Sequence, residues 1–363
     1  MVLFYIIFFF LILRFTVTLF NYISNPKLTG SPRQYHDLVS VLIPVRNEEK
    51  NIGRLLQSLL DQDYENFEVL ILDDGSTDQT AIVCETFAKH DPRITVIPGK
   101  PLPANWLGKN YACHQLSGLA RGKYLLFLDA DETVGAGLIN HSVHRIKLLR
   151  LSLLSLFTNQ VMVTAGERLV VPLMHFILLN LLPLRLVRLS ANPAFAAASG
   201  QFMLFEASDY HRHQWHEQVK QQVAEDIAIM RLVKAGGLRG EALLANGHIS
   251  CRMYTGLFEA LNGFSKNLLA GFSNSIPGLL IYLMLVMAGP VFIAIYLDLS
   301  LLFFALTLIV LSRILSSLSA GQNLALNVLL HPLQMVALLV IAILSIKHHL
   351  SRSATWKGRK IAS

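Results

Sequence analysis

Acidic side chains follow two of the short apolar runs in the middle of the chain. Asp73 and Asp74 follow the run FEVLIL, and Asp129 and Asp131 follow YLLFL. Two carboxylates separated by one residue can both turn toward a single hard cation, since Mg²⁺ and Mn²⁺ prefer oxygen ligands. A metal ion held in this way would neutralise a diphosphate leaving group. Aspartate pairs are also common in turns, where they only cap a helix or solvate a loop.

A third acidic pair, Glu225 and Asp226, precedes the amphipathic run IAIMRLVKAGG. A carboxylate within about 3 Å of an attacking oxygen can remove its proton as a general base. Acids at the start of a helix also interact favourably with the helix macrodipole. One pair of acids can both begin a helix and act as a base. The pair is therefore a candidate for base catalysis, with a helix start as the alternative explanation.

The segments around these acids alternate between strand and helix. Apolar runs such as VSVLIPV are separated by amphipathic segments, one of which has apolar residues at Ile52, Leu55, Leu56, Leu59 and Leu60. This pattern predicts βαβ units and an α/β fold with a mostly parallel sheet covered on both faces. Ligands of such sheets bind beyond the carboxyl ends of the strands, which is where the acids lie.

The composition is more apolar than that of a soluble domain. Of the 363 residues, 53% are hydrophobic and 15% are charged, whereas soluble domains average about 25% charged residues. Residues 1–26 carry only Arg14, and residues 276–346 carry only Asp298 and Arg313. A disordered or fibrous chain is therefore excluded. A polar middle of about 250 residues, enough for one or two domains, lies between apolar ends.

The N-terminal apolar run, residues 3–20, is just long enough to cross a hydrocarbon core, which takes about 20 helical residues. No positive segment precedes it and no small-residue cleavage site follows it, as a signal peptide would require. We interpret residues 1–26 as an uncleaved transmembrane anchor. Lys27 and Arg33 then mark the cytoplasmic side, and we expect a multi-pass protein of the cell membrane with a cytoplasmic catalytic domain.

Three further apolar runs, at about 276–296, 299–318 and 328–346, are expected to be transmembrane helices. A basic tail, residues 347–363, follows them. Three crossings after a cytoplasmic middle would put this tail outside, against the positive-inside rule. One of the runs is then expected to be re-entrant or interfacial.

Residues 170–189 are apolar but include several polar or helix-breaking residues, namely His175, Asn180, Pro183, Arg185 and Arg188. A full span would bury these groups at a cost, which favours an amphipathic helix lying on the membrane. A buried core helix is the alternative.

Charge and cysteine content exclude two other classes of protein. The formal net charge is +7, but no basic run interleaved with aromatic residues occurs in the middle segment, so we do not expect a nucleic-acid partner. Cys84, Cys113 and Cys251 are widely spaced and form no CxxC pair. Neither a zinc knuckle nor a disulfide framework is predicted, and a reducing compartment is the default.

The order of motifs along the chain is more specific than any single motif. PVRNEE, DDGSTD, a GKN segment, DAD and the acidic pair follow one another, and in this order they resemble the inverting glycosyltransferases of family 2. The resemblance covers residues 38 to about 240. It implies a GT-A nucleotide-sugar domain, which we bound at 38–255, with a UDP-sugar donor and Mg²⁺ or Mn²⁺ as cofactor.

The resemblance also implies roles for individual residues. Donor contacts would come from Pro44 and Glu48 in the first donor loop, Asp73 and Asp74 at the uracil and ribose, Lys109 where the family often has arginine, and Asp129 at the diphosphate. Asp129 and Asp131 would hold the metal ion. Asp226 matches the general base of the family.

Segments outside the core resemble one membrane subgroup of this family. AAASGQFMLFEASDY, CRMYTGLFEALNGFSKN and WKGR are similar to segments of enzymes that glycosylate carotenoid-type and hopanoid-type lipids, and the tail resembles the diaponeurosporenoate glycosyltransferases. Gly200 and Gln201, together with Glu225, would then lie at the acceptor end of the site.

Arg252 in CRMY occupies roughly the place of the QxxRW motif of processive polysaccharide synthases, but no tryptophan follows it. It would either pair with the diphosphate through its guanidinium group or face lipid at the interface.

Taken together, these features predict a membrane-bound, metal-dependent inverting glycosyltransferase. It would move a hexose, with glucose the commonest choice, from a UDP-sugar to a hydroxyl or carboxylate of a lipid acceptor. A processive polysaccharide synthase and a catalytically silent membrane scaffold of the same fold are the alternatives. The sequence assigns no protein partner.

Overall fold

The structure, a computed structural model, describes residues 2–296, 298–351, 355–356 and 359–360. The chain divides into two compact units. One comprises residues 27–159, 184–252 and 355–363, and the other comprises residues 1–26, 160–183 and 253–354. Each unit is described by itself below.

The strands, in chain order, are β1 Val39–Val45, β2 Phe67–Asp73, β3 Ile94–Pro98, β4 Tyr124–Leu128, β5 Glu132–Val134, β6 Leu153–Phe157, β7 Asn159–Gln160, β8 Phe202–Glu206, β9 Gly240–Leu244, β10 Ile249–Cys251, β11 Thr355–Trp356 and β12 Arg359–Lys360.

The helices, in chain order, are α1 Val2–Ser24, α2 Ile52–Leu60, α3 Thr80–His90, α4 Gly108–Leu119, α5 Leu138–Leu149, α6 Ala165–Val170, α7 Pro172–Leu181, α8 Arg185–Leu189, α9 Ala207–His213, α10 Trp215–Gln218, α11 Glu225–Ala235, α12 Leu257–Gly271, α13 Ile276–Leu283, α14 Gly289–Tyr296, α15 Leu299–Ala320, α16 Leu324–Leu329 and α17 His331–Ser351. A π-helical segment, Met284–Ala288, joins α13 to α14, and Pro193–Phe195 forms a 3₁₀ turn.

The unit that contains the acidic motifs is built on a seven-stranded sheet of order β3-β2-β1-β4-β8-β6-β9. All neighbouring strands are parallel except β8, which is antiparallel to both β4 and β6. The predicted α/β fold with a mostly parallel sheet is therefore confirmed. Because β1, β2 and β4 are parallel, the loops after them meet at one edge of the sheet.

Continuous apolar runs form the central strands because helices cover both faces of the sheet. All seven residues of β1 are buried except Pro44, which is half-buried. The amphipathic helix α2 buries Ile52, Leu55, Leu56 and Leu59 in the same core, as its spacing predicts. These layers hold the strand ends rigidly beneath the loops that carry the acids.

A small antiparallel sheet lies at the same edge. Strand β5 follows the DAD segment directly and pairs with β10, with Cys251 opposite Glu132 and Ile249 opposite Val134. This pairing joins residues that are about 115 positions apart in the chain, and it puts Arg252 immediately after the second strand.

The other unit contains the apolar ends of the chain. Among the described residues, four helices are long and apolar enough to cross a membrane: Val2–Ser24, Ile276–Ile295, Leu299–Ala320 and His331–Ser351. They correspond to the four predicted runs, so the N-terminal and C-terminal apolar helices of the predicted fold class are confirmed. Arg14, on the first of them, is buried and donates to Asn180 Oδ1 (3.1 Å).

Residues 170–189 do not form one continuous helix. Helix α7 ends at Leu181 and α8 begins at Arg185, with Pro183 between them. Within its unit, α7 buries one face that includes His175, Phe176 and Asn180. The interfacial helix near 170–189 stays a prediction.

The tail is described only in part. The backbones of Thr355–Trp356 and Arg359–Lys360 pair as a short antiparallel ladder. Arg352 and Lys357, which belong to the predicted basic tail, lie outside the described residues.

Candidate active site

Two loops at the carboxyl edge of the sheet are bound to each other by hydrogen bonds. The first follows β1, where the Glu48 N–H donates to Thr80 Oγ1 (2.7 Å) and Glu48 Oε2 accepts from Asn51 Nδ2 (2.9 Å). Arg46 in the same loop donates to the carbonyls of Asp74 and Gly75. Pro44 precedes this loop on β1. The predicted donor loop is therefore held against the DDGSTD loop.

The two acids of the DDGSTD loop have different surroundings. Asp73 Oδ1 accepts hydrogen bonds from the Ser76 N–H (3.0 Å) and from the Ser76 hydroxyl. Asp74 is 8% exposed, and its N–H donates to the Val45 carbonyl (2.9 Å). Gly75 has a φ of +69°, a conformation that glycine adopts without strain. Asp73 therefore shapes the turn and Asp74 lies beneath it, and their nucleotide contacts stay predictions.

Lys109, in the first turn of α4, links two of the acidic motifs. Its Nζ lies 2.8 Å from Asp129 Oδ1 and 3.1 Å from Glu225 Oε1, and it donates to the Gly200 carbonyl at 3.5 Å. Burial by itself lowers the pKa of Lys109, but the carboxylates of Asp129 and Glu225 outweigh it and hold that pKa well above its usual value. Lys109 is thus a fixed cation between the DAD loop and the start of α11.

Asp226 is fixed by backbone donors. Its Oδ2 accepts from the Gly200 N–H (2.9 Å) and its Oδ1 accepts from the Ile227 N–H (2.8 Å). Burial and the charge of Glu225 raise the pKa of Asp226 to about 7, although both hydrogen bonds and Lys109 act in the opposite direction. A carboxylate with a pKa near the working pH is suited to take up a proton and release it again.

Gly200 and Gln201 border this carboxylate. A Cβ atom at position 200 would lie 3.0 Å from Glu225 Oε1 and 3.1 Å from Lys109 Nζ, so glycine leaves the space that these side chains occupy. Gln201 is buried, and its Oε1 accepts from the Thr158 hydroxyl (2.9 Å). Its backbone carbonyl accepts from the Asp129 N–H (3.3 Å). The acceptor roles of Gly200, Gln201 and Glu225 stay predictions.

Asp131 lies in a different environment from Asp129. Its Oδ2 accepts from the Cys251 thiol at 3.3 Å. Burial raises the pKa of Asp131 to about 6, and the charges of Asp129 and Glu48 add to the shift. The two acids of the DAD segment therefore contact different partners, although both are at the same strand end.

Comparison with known proteins finds a family similarity in the unit that contains the acidic motifs. Residues 40–160 match the family model described as glycosyl transferase family 2. This part of the chain is therefore similar to the family 2 glycosyltransferases. The matched range includes the loops after β1, β2 and β4, and so all the predicted donor and metal residues except Arg252.

Relatives with similar sequences include proteins named as glycosyltransferases. A 4,4'-diaponeurosporenoate glycosyltransferase of Staphylococcus haemolyticus is 27% identical over 259 residues, which are 69% of this chain and 66% of that relative. A protein of the same name from Staphylococcus aureus is 36% identical over 98 residues, covering 27% of this chain and 25% of the relative. The chain thus matches less than two thirds of the length of these relatives.

A mannosyltransferase from Pyrobaculum calidifontis, solved in complex with GDP-Man and Mn²⁺, has a similar fold. It matches with a TM-score of 0.58 and 18% sequence identity, covering 96% of this chain and 99% of the other. At this identity the likeness concerns the fold alone, and it agrees with the GT-A fold implied by the motifs.

Two residues beside the DAD segment were missed by sequence reasoning. Cys251 and Glu132 lie beside Asp131, and one ligand atom from each of the three residues lies within 4.8 Å of the others. The acid directly after DAD was visible in the sequence, but its partner was not, because the pairing of β5 with β10 has no signature in the local pattern. Burial raises the pKa of Glu132 well above its usual value, and Asp131 and Asp129 add to the shift.

The residues around DAD fit a divalent cation. Both carboxylate oxygens of Glu132 are buried, and within the described residues neither accepts a hydrogen bond of normal geometry, although the neighbouring Cys251 thiol partly offsets the rise in the pKa of Glu132. A buried carboxyl group without a partner is costly, and a cation beside Asp131 would compensate for it. Asp131 is the DAD acid closest to this group, whereas Asp129 Oδ1 contacts Lys109.

Proposed function

We propose that the protein is a membrane-bound, metal-dependent inverting glycosyltransferase that transfers a hexose from a UDP-sugar to a lipid acceptor. The observation that carries the proposal is the Asp226 carboxylate, which two backbone N–H groups hold beside Lys109 and Gly200. A base in this setting can accept a proton without moving. The similarity to family 2 and the names of the relatives support the transferase class.

In the proposed reaction the acceptor oxygen attacks the anomeric carbon from the face opposite the nucleotide. A bond forms between that oxygen and the anomeric carbon, the bond from the anomeric carbon to the diphosphate oxygen breaks, and the acceptor proton passes to Asp226. Lys109 keeps Asp129 and Glu225 in place on either side of its ammonium group. When bound, the metal ion would neutralise the leaving diphosphate, and Asp131 would be its ligand from the DAD segment.

The lipid acceptor is supported by four helices that are apolar enough to cross a membrane. An acceptor dissolved in the bilayer must reach a charged donor in water, which explains why such helices accompany a nucleotide-sugar domain. The relatives named for diaponeurosporenoate suggest a carboxylic acid. A carboxylate is already ionised and needs no base, so the fixed Asp226 favours a hydroxyl acceptor.

The test is a transfer assay with the full-length chain in detergent. Each reaction contains the chain, Mn²⁺, a lipid extract and one radiolabelled donor, which is UDP-glucose, another UDP-hexose or GDP-mannose. The label that enters the organic phase is counted. We expect label from a UDP-hexose in a product of one sugar per lipid. Asp226→Asn should lower this transfer by about 10²- to 10⁴-fold.

Asp61→Asn is the matched control, because the exposed Asp61 carboxylate accepts a hydrogen bond from Gln57 at the end of α2, and this variant should retain activity. A long polymer would indicate a polysaccharide synthase instead. Transfer only from GDP-mannose would reject the UDP-sugar donor. An active Asp226→Asn enzyme with a carotenoid acid would show that the acceptor is a carboxylate and that Asp226 is not the base.

A further inference from the structure

Glu132 is a buried acid that the proposed reaction does not use. Its side chain is fully buried, and it is the first residue of β5, directly after the DAD segment. Within the described residues, neither Oε1 nor Oε2 makes a hydrogen bond of normal geometry, and the donor beside this carboxyl group is the Cys251 thiol. A carboxyl group buried in this way lacks the compensation that buried polar groups normally have, and a bound cation is one way to provide it.

Its neighbours are two further groups that bind metals. The β5–β10 register puts Cys251 directly opposite Glu132, and the Cys251 thiol lies 3.3 Å from Asp131 Oδ2. One ligand atom from each of Asp131, Glu132 and Cys251 lies within 4.8 Å of the other two. The three side chains therefore converge although they come from two distant segments of the chain.

The spacing is compatible with one shared ion. With metal–oxygen and metal–sulfur bonds of about 2.1 and 2.3 Å, an oxygen and a sulfur ligand are separated by about 3.1 Å at a right angle and about 3.6 Å at a tetrahedral angle. The distance of 3.3 Å between Asp131 Oδ2 and Cys251 Sγ lies between these values. The ligand atom of Glu132 lies within 4.8 Å of the other two, so a shift of its carboxylate toward them would complete three protein ligands.

Asp129 is poorly placed to join them. Its Oδ1 is 2.8 Å from Lys109 Nζ, so an ammonium group already neutralises it. The second acid of DAD is thus the one turned toward the group that contains Glu132 and Cys251.

We propose that Asp131, Glu132 and Cys251 together form a divalent-cation site with a thiolate ligand. The inference rests on the proposed function, because it names further metal ligands of that same site. Thiolates favour Zn²⁺ and its heavier analogue Cd²⁺ over Mg²⁺, which prefers oxygen ligands alone. The site therefore binds Zn²⁺ and Cd²⁺ more tightly than Mg²⁺, and the remaining coordination positions are open to water or to phosphate oxygens of the donor.

The test is a Cd²⁺ titration of the full-length chain in detergent after removal of metals with a chelator and without any nucleotide sugar. Sulfur-to-cadmium charge transfer gives an ultraviolet absorption band that reports a Cys–Cd bond directly. We expect a saturable band at one Cd²⁺ per chain, displaced by Zn²⁺ but not by an equal concentration of Mg²⁺.

Three variants and a control distinguish this site from other cysteines. Cys251→Ser should abolish the band, and Glu132→Gln and Asp131→Asn should each weaken Cd²⁺ binding by about tenfold or more. Cys84→Ser is the control, because Cys84 is an equally buried thiol on α3, and it should leave the band unchanged. Thermal unfolding without metal checks that each variant is folded, and Glu132→Gln decides the result if Cys251→Ser does not fold.

The outcomes separate this inference from the proposed function. A wild-type band that persists in Cys251→Ser, or the absence of a saturable band, overturns the cation site even if lipid glycosylation is observed. A band that depends on Cys251 and Glu132 in a chain that transfers no sugar supports the cation site and rejects the proposed function.

Discussion

At the scale of single residues, the ammonium group of Lys109 separates two acids that have different proposed tasks. It contacts Asp129 of the DAD segment and Glu225 beside the candidate base. Without a cation between them these carboxylates would repel each other and disturb both loops. The residue therefore has an electrostatic role that its position before Asn110 did not suggest, in addition to the predicted donor contact.

Replacing Lys109 tests this role. Lys109→Met keeps most of the side-chain volume but removes the charge. We expect kcat/KM for the donor to fall by about tenfold or more, because Asp129 and Glu225 would move away from the positions in which they contact the substrates. Lys109→Arg should recover part of the loss, since a guanidinium group can also contact two carboxylates. Steady-state kinetics on both variants provide the measurement, and equal losses in the two would contradict a role of the charge.

The pH dependence of transfer tests Asp226. The pKa of this carboxyl group is raised to about 7 by burial and by Glu225, and only the ionised form can accept a proton. We therefore expect kcat/KM with a hydroxyl acceptor to rise roughly tenfold per pH unit below pH 7 and to level off above it. A rate that is flat between pH 5.5 and 8.5, with substrate binding unchanged, would argue against this base.

The same raised pKa has the opposite effect on stability. Folding favours the protonated form of Asp226, so ionisation of this group destabilises the folded state. The protonated carboxyl group stabilises the fold fully below the pKa of an unfolded aspartate, and this stabilisation is lost as the pH rises to about 7. Asp226→Asn should therefore raise the Tm at pH 8 relative to wild type and change it less at pH 4. Calorimetry of both proteins in the same detergent measures this difference, and a lower Tm at pH 8 would contradict it.

At the scale of elements, local periodicity was sufficient for the sheet but not for the whole site. The apolar runs of β1, β2 and β4 and the amphipathic spacing of α2 predict parallel strands with their loops at one edge, and the structure confirms this fold. The antiparallel insertion of β8 and the pairing of β5 with β10 could not be predicted, because these contacts join segments far apart in the sequence. Glu132 and Cys251 were missed for that reason.

Strand β9 contains a second feature that periodicity did not reveal. Glu241 is 1% exposed, and its carboxylate forms ion pairs with Arg145 of α5 at 2.7 Å and Arg188 of α8 at 2.9 Å. Removing one member of a buried ion pair leaves the other charge without compensation. The Glu241 carboxylate therefore fastens two helices to the outer strand of the sheet.

Glu241→Gln should destabilise the protein strongly. Since the arginines are partly exposed, we expect a loss of about 2–3 kcal/mol in the free energy of unfolding, which corresponds to a fall in Tm of roughly 5 °C. Asp91→Asn is the control, because Asp91 pairs with Arg93 near the surface, and surface pairs contribute about 1 kcal/mol or less. Thermal unfolding of both variants decides the matter, and similar Tm values for the two would contradict it.

At the scale of the whole molecule, the distribution of charge relates the domain to the membrane. Charged residues are scarce in the four apolar helices found among the described residues. The acids proposed to bind the metal ion, to contact the nucleotide and to act as the base belong to the other unit. We propose that the nucleotide-sugar domain lies in the cytoplasm, because Lys27 and Arg33 follow the first helix. UDP-sugars would then be available on the side where the domain lies.

The side on which the tail lies tests this arrangement. Four complete crossings would put residues 347–363 outside, together with Lys347, Arg352, Lys357, Arg359 and Lys360, which the positive-inside rule disfavours. We therefore expect the tail to be cytoplasmic and one apolar helix to be re-entrant or interfacial. The helix formed by Ile276–Ile295 is the best candidate, since a π-helical segment, Met284–Ala288, interrupts it and Pro277 and Pro290 lie within it.

A green fluorescent protein fused after Ser363 should fluoresce, and alkaline phosphatase at the same position should be inactive. Active phosphatase would show that all four helices cross and that the basic tail is an exception to the rule.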